Sequence, residues 1–275
     1  MVPRPIPAPP FGLVLFHNPR NLLARRALQD LRRWLTARGN RVLPLRQVER
    51  AGAVVALGGD GTLLSAARVA APVGVPVLGV NLGRLGFLTA SDIQRVRPLL
   101  NKLFAGQLVS TNRMMLEAHL PRGMVNPVVN DCVIQGATAG RVVRLSVQVD
   151  GVSLGTYVGD GLIVATPTGS TAYSMAAGGP IACPEMDLIL LTPISPHSLS
   201  QRPVLVPAGS TVEVRLEPRH PTEKMVVSVD GKDPFPLSKG ERVVLRQMKA
   251  RLHILSEKGR PFFGVLRKKL LWGDR

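Results

Sequence analysis

Two stretches of the chain gather small, hydroxylated and carboxylate side chains at the ends of apolar runs. The first is Gly58-Gly59-Asp60-Gly61-Thr62, between the apolar run Ala53 to Leu57 and the helix-forming stretch Leu63 to Ala71. Glycines let a backbone approach a phosphate closely, N–H groups at a helix start attract an anion, and a lone carboxylate among phosphates can orient a metal or accept a hydroxyl proton. Asp60 is therefore a candidate base or metal orienter. The same residues also fit a tight turn in which Asp60 caps the following helix. No GxxxxGK[ST] and no G-x-G-x-x-G occurs, so a phosphate site here is neither a Walker A loop nor a dinucleotide fingerprint.

The second stretch runs from Asp160-Gly161 through Leu162, Ile163, Val164 and Ala165 into Thr166-Pro167-Thr168-Gly169-Ser170-Thr171-Ala172-Tyr173-Ser174. Hydroxyls at this density make a polar site or a capped helix start. Ser170 or Thr171 fits an N-cap for a helix over 172–177, and Tyr173 fits either a core aromatic or a stacking surface for a base. Spacing leaves these alternatives open. A nucleophile elbow, G-x-S-x-G, is absent, so Ser170, Thr171 and Ser174 do not form a hydrolase triad with a remote histidine, and His197 is given no catalytic role.

Both loops need elements to hold them. Residues 13–100 alternate strands with helices: Leu13 to Phe16 stops at His17-Asn18-Pro19, and Leu28, Leu31 and Leu35 mark the apolar face of a helix over 22–37 closed near Gly39. Val42 to Leu45, Ala53 to Leu57 and Val75 to Val80 supply further strands, and a helix over 92–104 ends the unit. This rhythm predicts an open, largely parallel α/β sheet. Beyond about residue 110 the period becomes two, as in Leu145, Val147, Val149 and Val212, Val214, Leu216, and Asp150-Gly151 and Asp230-Gly231 signal hairpins. The expected organisation is an α/β domain over 1–100, a β-rich, sandwich-like domain over 101–261, and a basic tail over 262–275 that packs back on the first.

Composition narrows the function classes. The 275 residues are 45% hydrophobic and 19% charged, which excludes global disorder, and 27 Gly, 24 Pro and two Cys exclude a disulfide scaffold. No zinc spacing occurs, and Cys132 and Cys183 are expected as buried thiols of a reducing cytosol. No apolar stretch is long enough for a membrane span, and residues 1–10 alternate proline with small residues, so a cytoplasmic protein is expected. A net charge of +17 favours anionic partners. The pairs Arg25-Arg26 and Arg32-Arg33 fit a solvated helix face, and seven Phe, two Tyr and two Trp offer little base stacking, so no specific nucleic acid is expected.

The two loops, with Asn81-Leu82-Gly83-Arg84-Leu85-Gly86-Phe87-Leu88, Asn130-Asp131 and the segment Pro193 to Pro203, closely resemble the bacterial NAD kinase family over roughly residues 50–235. The glycine-rich loop alone is shared with lipid kinases and echoed in phosphofructokinases, whereas Asp160 to Ser174 is more specific. The resemblance implies transfer of a phosphoryl group from ATP or polyphosphate, with a divalent cation such as Mg²⁺, to the 2′-hydroxyl of the adenosine ribose of NAD. It implies Asp60 as proton acceptor, with Gly58, Gly59, Gly61 and Thr62 in the phosphate loop. Asn130, Asp131, Arg141, Asp160, Ala165, Thr171, Ala172, Tyr173 and Ser174 become nucleotide-binding residues, Asp160 at the nicotinamide end and Tyr173 along the adenine. No metal ligand is assigned, since magnesium is held mainly by substrate phosphates. A homodimer or homotetramer with its site in a crevice between the domains is implied as well. Two departures stand out: Asp131 replaces the family's usual Glu, and Val158 replaces a common Lys or Arg. A lipid kinase and a non-catalytic nucleic-acid binder are the competing readings.

Overall fold

The apolar run before the first glycine loop becomes the strand Ala51–Leu57, buried at all seven positions. It lies between Gly12–His17 and Val77–Asn81 with both pairings parallel, so neither edge meets water. The computed structural model describes residues 11–83, 86–89, 91–137, 142–217, 225–238, 240–259 and 262–272. The chain divides into two units, one holding residues 1–113 and 250–275 and the other 114–249.

In the first unit the sheet order is Val42–Leu43, Gly12–His17, Ala51–Leu57, Val77–Asn81, Leu252–Ser256, Val109–Arg113, with Ser91–Asp92 beside Val77–Asn81. Its pairings are parallel except the last ladder, Leu252–Ser256 against Val109–Arg113. The helix Leu22–Ala37 starts at Asn21, whose side chain accepts the Ala24 N–H, and buries Ala24, Leu31 and Leu35. The helix Val96–Phe104 is entered through a 3₁₀ turn, Ile93–Arg95, whose cap Asp92 accepts the Arg95 N–H. Leu31, Leu35, Val55, Leu57, Leu78, Leu100, Leu103 and Leu255 meet in its core. The helix Phe262–Leu270 buries Leu266, and Lys269 Nζ lies 5.6 Å from the centre of the Phe87 ring.

The division falls at 113/114 and 249/250, where the sequence suggested 100/101 and 261/262, and it groups the C-terminal tail with the first unit. Val109–Arg113 and Leu252–Ser256 belong to the α/β unit, because they pair with each other and Leu252–Ser256 extends the parallel sheet at Ile254 opposite Val77. Two short strands so far apart in the chain carry no local signal of their partnership.

The second unit contains two six-stranded antiparallel sheets. One runs Val152–Gly159, Val143–Val149, Val212–Leu216, Arg242–Gln247, Leu116–His119, Val125–Val128, and the other Val204–Pro207, Leu188–Ile194, Gly161–Ala165, Asp131–Gly136, Met225–Val229, Lys232–Leu237. Leu145, Val147, Val214, Val243 and Leu245 of the first pack with Ile134, Leu162, Val164, Ile189, Leu191 and Val227 of the second. Arg144 and Ser146 fall on the more open face, as the period of two requires. Gly161–Ala165 and Leu188–Ile194 are buried at every position because Val133, Ile163, Ala165, Leu190, Ile194 and Ala182 form a further cluster on the other face. Both Asp-Gly pairs form two-residue hairpins, with φ of 52° and 80° at Asp150 and Gly151 and 50° and 67° at Asp230 and Gly231. Cys132 and Cys183 are free thiols, and burial pushes the Cys132 thiol above its ordinary pKa range. Among the described residues no helix is long and apolar enough to cross a membrane.

Candidate active site

Each glycine-rich loop sits where a buried strand ends. Gly58 extends the parallel ladder by one bond, its N–H donating to Val80 O at 2.9 Å. At φ 155° it adopts a backbone that favours glycine, and a side chain there would meet Thr62 Oγ1 at 2.2 Å. The chain then enters the helix Asp60–Ala70 with Gly59 as its cap. The Thr62 N–H donates to Gly59 O at 3.0 Å, which leaves the amides of Asp60 and Gly61 at the helix start for an anion, and space is open above Gly59 and Gly61, where an added Cβ meets nothing within 4 Å. Asp60 is the first helical residue and its side chain makes no capping bond, which corrects the turn reading in which it is the cap. Its two oxygens instead accept backbone N–H groups from a different loop, Oδ2 from Phe87 at 2.8 Å and Oδ1 from Leu88 at 3.1 Å.

In the second unit, the Asp230 carboxylate gathers three consecutive amides, accepting N–H from Val129 at 3.2 Å, Asn130 at 2.7 Å and Asp131 at 3.2 Å. Thr166 secures the same segment: its N–H donates to Asn130 O at 2.8 Å, its hydroxyl donates to Val129 O at 2.6 Å, and it accepts the Gly169 N–H at 3.2 Å. A Cβ at Gly169 would fall 2.1 Å from Asn130 O, so this backbone approach admits only glycine. Asn130 Oδ1 and Thr168 Oγ1 are buried and have no hydrogen-bond partner. Unpaired buried polar atoms are costly, and a polar ligand is one way to satisfy them.

Asp131 is 5% exposed and lies directly opposite Ala165 in the antiparallel ladder. Burial, with the negative charge of Asp230 as a second cause, pushes its carboxyl up to about 7. Between the ordinary 3.8 and about 7 the folded protein keeps a proton that the unfolded chain has released, so stability falls as pH rises through that window and is level above it. Asp131→Asn removes this slope. Its unfolding free energy relative to wild type is expected to rise by on the order of 3 kcal/mol between about pH 5 and about pH 8, read by urea unfolding. A difference independent of pH would mean that Asp131 titrates in the ordinary carboxylate range.

Asp160 is pinned between strands, donating its N–H to Ile194 O at 2.9 Å and accepting the Gly136 N–H at 3.1 Å, with its side chain half-buried. The flanking glycines allow this pinch, since a Cβ at Gly159 would lie 2.7 Å from Ile194 O and one at Gly161 2.4 Å from Ile134 O. The expected helix over 172–177 is a single turn, Tyr173–Ala176, and Ala172, with φ −103° and ψ −130°, separates it from a preceding 3₁₀ turn, Thr168–Thr171. No side chain caps that turn, which corrects the N-cap reading of Ser170 and Thr171. Ser170 is buried, its hydroxyl donating to Pro167 O and accepting the Ala182 N–H at 3.0 Å, while the Thr171 hydroxyl reaches only Thr168 O at 3.4 Å. The Ser174 hydroxyl is also inside the fold, bonded to the Thr192 hydroxyl at 2.8 Å. Tyr173, 42% exposed, is not a core aromatic. Arg141 lies outside the described residues.

The structure thus joins Asn130, Asp131 and Ala165 with the Thr166–Gly169 turn, while Asp60 belongs to the other unit. Sequence reasoning missed Asp230 as a backbone anchor, because its Asp-Gly pair was fully explained as a turn. It also missed Gln201, whose side chain accepts the Val158 N–H at 3.3 Å and donates to Thr156 O at 2.8 Å. His197 contributes its backbone N–H to Val158 O at 2.9 Å, so its segment lies beside the strand Val152–Gly159.

Residues 45–108 match the ATP-NAD kinase N-terminal domain and residues 129–256 the ATP-NAD kinase C-terminal domain. The NAD kinase of Heliobacterium modesticaldum is 44% identical over 233 residues, covering 83% of this chain and 81% of that protein. The NAD kinase of Geobacter sulfurreducens is 38% identical over an alignment of 281 residues, covering 94% and 96%. Among solved structures, yeast NADH kinase complexed with NADH matches with a TM-score of 0.86 at 25% identity over 96% of this chain and 89% of that one. An NAD kinase from Archaeoglobus fulgidus in complex with ATP shares the fold, with a TM-score of 0.77 at 21% identity over 95% and 99% of the two chains. The first match contains the Gly58–Thr62 loop and the second contains Asn130 to Ser174, so the chain belongs to the NAD kinase family.

Proposed function

We propose that the protein transfers the terminal phosphoryl group of ATP to the 2′-hydroxyl of the adenosine ribose of NAD, forming NADP, and that polyphosphate serves as an alternative donor. The observation that carries this reading is the carboxylate of Asp60. Each of its oxygens accepts one N–H, and a carboxylate oxygen has two lone pairs, so one on each remains for a substrate hydroxyl. It stands at a helix start among glycines with open space beside them, a setting suited to phosphate.

Phosphoryl transfer asks a protein mainly to align an acceptor hydroxyl and to neutralise phosphate charge. Asp60 takes the proton of the 2′-hydroxyl as the new bond to phosphorus forms and the bond to ADP breaks. The amides of Gly59 and Gly61 hold phosphate oxygens, while Gly58 and Thr62, whose N–H groups donate to Val80 O and Gly59 O, shape the loop around them. Asn130, with its buried unpaired Oδ1, and Asp131 beside it bind the nucleotide. Asp160 holds the nicotinamide end, Ala165 and Ala172 form apolar walls, Thr171, Tyr173 and Ser174 enclose the adenine, and Arg141 meets substrate charge. Ser174 does so through its backbone and packing, its hydroxyl being bonded to Thr192.

A divalent cation such as Mg²⁺ fits this site without a protein ligand: substrate phosphates and water would hold it, in the open space above Gly59 and Gly61. When bound, the ion neutralises charge on the transferring phosphates. We place the protein in the cytoplasm, as a homodimer or homotetramer.

The test is incubation of the purified protein with NAD, ATP and Mg²⁺, NADP being read by a dehydrogenase strictly dependent on it, with NADH and polyphosphate in parallel reactions. NADP formation supports the reading, and none from folded protein contradicts it. Tyr173→Ala is expected to weaken NAD binding by roughly 1–3 kcal/mol, the scale of base stacking on an aromatic ring. An unchanged dissociation constant in a folded variant would remove Tyr173 from the adenine site.

A further inference from the structure

We propose that the turn Gly86 to Thr89 is the positioning element of the phosphoryl-transfer site, and that Gly86 and Thr89 act on the reaction through Asp60 alone. This rests on Asp60 being the proton acceptor. A carboxylate on the first residue of a helix, flanked by glycines with open space, has several rotamers available. Here two adjacent amides, those of Phe87 and Leu88, each bond a different oxygen at 2.8 and 3.1 Å. Paired bonds of this kind fix the plane of the carboxylate as well as its direction, and leave the lone pairs on the far side of both oxygens in a fixed orientation.

The turn is closed from within. Thr89 is fully buried, and its hydroxyl oxygen accepts the Gly86 N–H at 3.1 Å. The turn is also seated on the elements that carry Asp60: a Cβ at Gly79, in the strand Val77–Asn81, would lie 2.6 Å from Leu63 Cδ1 of the Asp60 helix and 3.0 Å from Thr89 Cα. Strand, helix and turn therefore lie in close contact at one point. Lys269, over the Phe87 ring, brings the helix Phe262–Leu270 onto the turn.

Gly86 gives the most specific signal. A Cβ there would lie 1.9 Å from Asp60 Oδ1, 2.5 Å from Cγ and 2.6 Å from Oδ2, so its three nearest neighbours are all in the Asp60 carboxyl group. Gly86 is not among the glycines with positive φ, so its backbone accepts an L side chain. Alanine at this position must then move the carboxylate, by about 1 Å or more to reach van der Waals separation, at the expense of its bonds to the Phe87 and Leu88 amides. A displacement of that size at a reacting group costs on the order of 10²-fold in rate.

The experiment measures kcat, KM for NAD and for ATP, and thermal unfolding of the full chain for wild type, Gly86→Ala, Thr89→Val, Thr89→Ser, Asp60→Asn and the double variant Asp60→Asn with Gly86→Ala. Gly86→Ala and Thr89→Val are expected to lower kcat by about 10- to 100-fold with both KM values within about twofold of wild type, and Thr89→Ser, which keeps the acceptor, to restore most of it. In the Asp60→Asn background, Gly86→Ala is expected to cost less than about a further threefold. The inference is overturned by wild-type kcat in Gly86→Ala, by a rise in KM at constant kcat, or by an undiminished effect of Gly86→Ala without the Asp60 carboxylate. If Gly86→Ala does not fold, the threonine pair decides, and equal kcat in Thr89→Val and Thr89→Ser overturns it. Wild-type turnover in Asp60→Asn would be a separate failure, that of Asp60 as proton acceptor.

Discussion

Asp60→Asn is expected to lower turnover by roughly 10²-fold or more while leaving fold and NAD affinity near those of wild type, the span associated with losing a general base. Asparagine matches aspartate in size, and its amide oxygen still accepts the N–H of Phe87 or Leu88, which the carboxylate holds together. What it loses is one of those bonds, at about 1 kcal/mol, and the ability to take a proton at neutral pH. Steady-state kinetics set beside calorimetric NAD binding separates the two consequences. Near-normal turnover would remove Asp60 from the chemistry, and lost NAD binding would make it a substrate-holding residue instead.

Asp230→Ala is expected to lower the unfolding free energy by about 3 kcal/mol, because three amide donors lose a charged acceptor in a part-buried setting. Alanine also fits poorly at φ 50°, which adds about 1 kcal/mol, whereas asparagine tolerates that backbone. Asp230→Asn, retaining one acceptor oxygen, is therefore expected to fall between wild type and alanine. Both variants are expected to raise KM for NAD, since the amides concerned set the position of Asn130 and Asp131. Both also remove the neighbouring negative charge that helps to raise the Asp131 pKa. Urea unfolding within about 0.5 kcal/mol of wild type for Asp230→Ala would show that these bonds carry little of the fold.

The parts of the fold legible in the sequence are those whose cause is local. Ala53 to Leu57 is a continuous apolar run because parallel neighbours bury both of its faces, and Leu145, Val147 and Val149 alternate because one face of their sheet is more open. Asp150-Gly151 and Asp230-Gly231 announce hairpins because only such residues take a positive φ twice in succession at low cost. Interactions between distant segments were not legible. Val109–Arg113 pairs with Leu252–Ser256, and nothing within either strand specifies the other. The two glycine-rich loops stood out by composition, but the partners that give them geometry did not. Phe87 and Leu88 serve Asp60 with main-chain amides, which leave no trace in residue type. The Ser174 hydroxyl, which looked available, is paired with Thr192.

Phosphoryl transfer to the 2′-hydroxyl is tested most directly by phosphorus NMR of a mixture of the wild-type protein, NAD, ATP and Mg²⁺. The expected result is a new ribose phosphomonoester signal that grows in step with ADP, with no matching release of inorganic phosphate. ADP appearing with inorganic phosphate alone, or no turnover by protein shown to be folded, would contradict it.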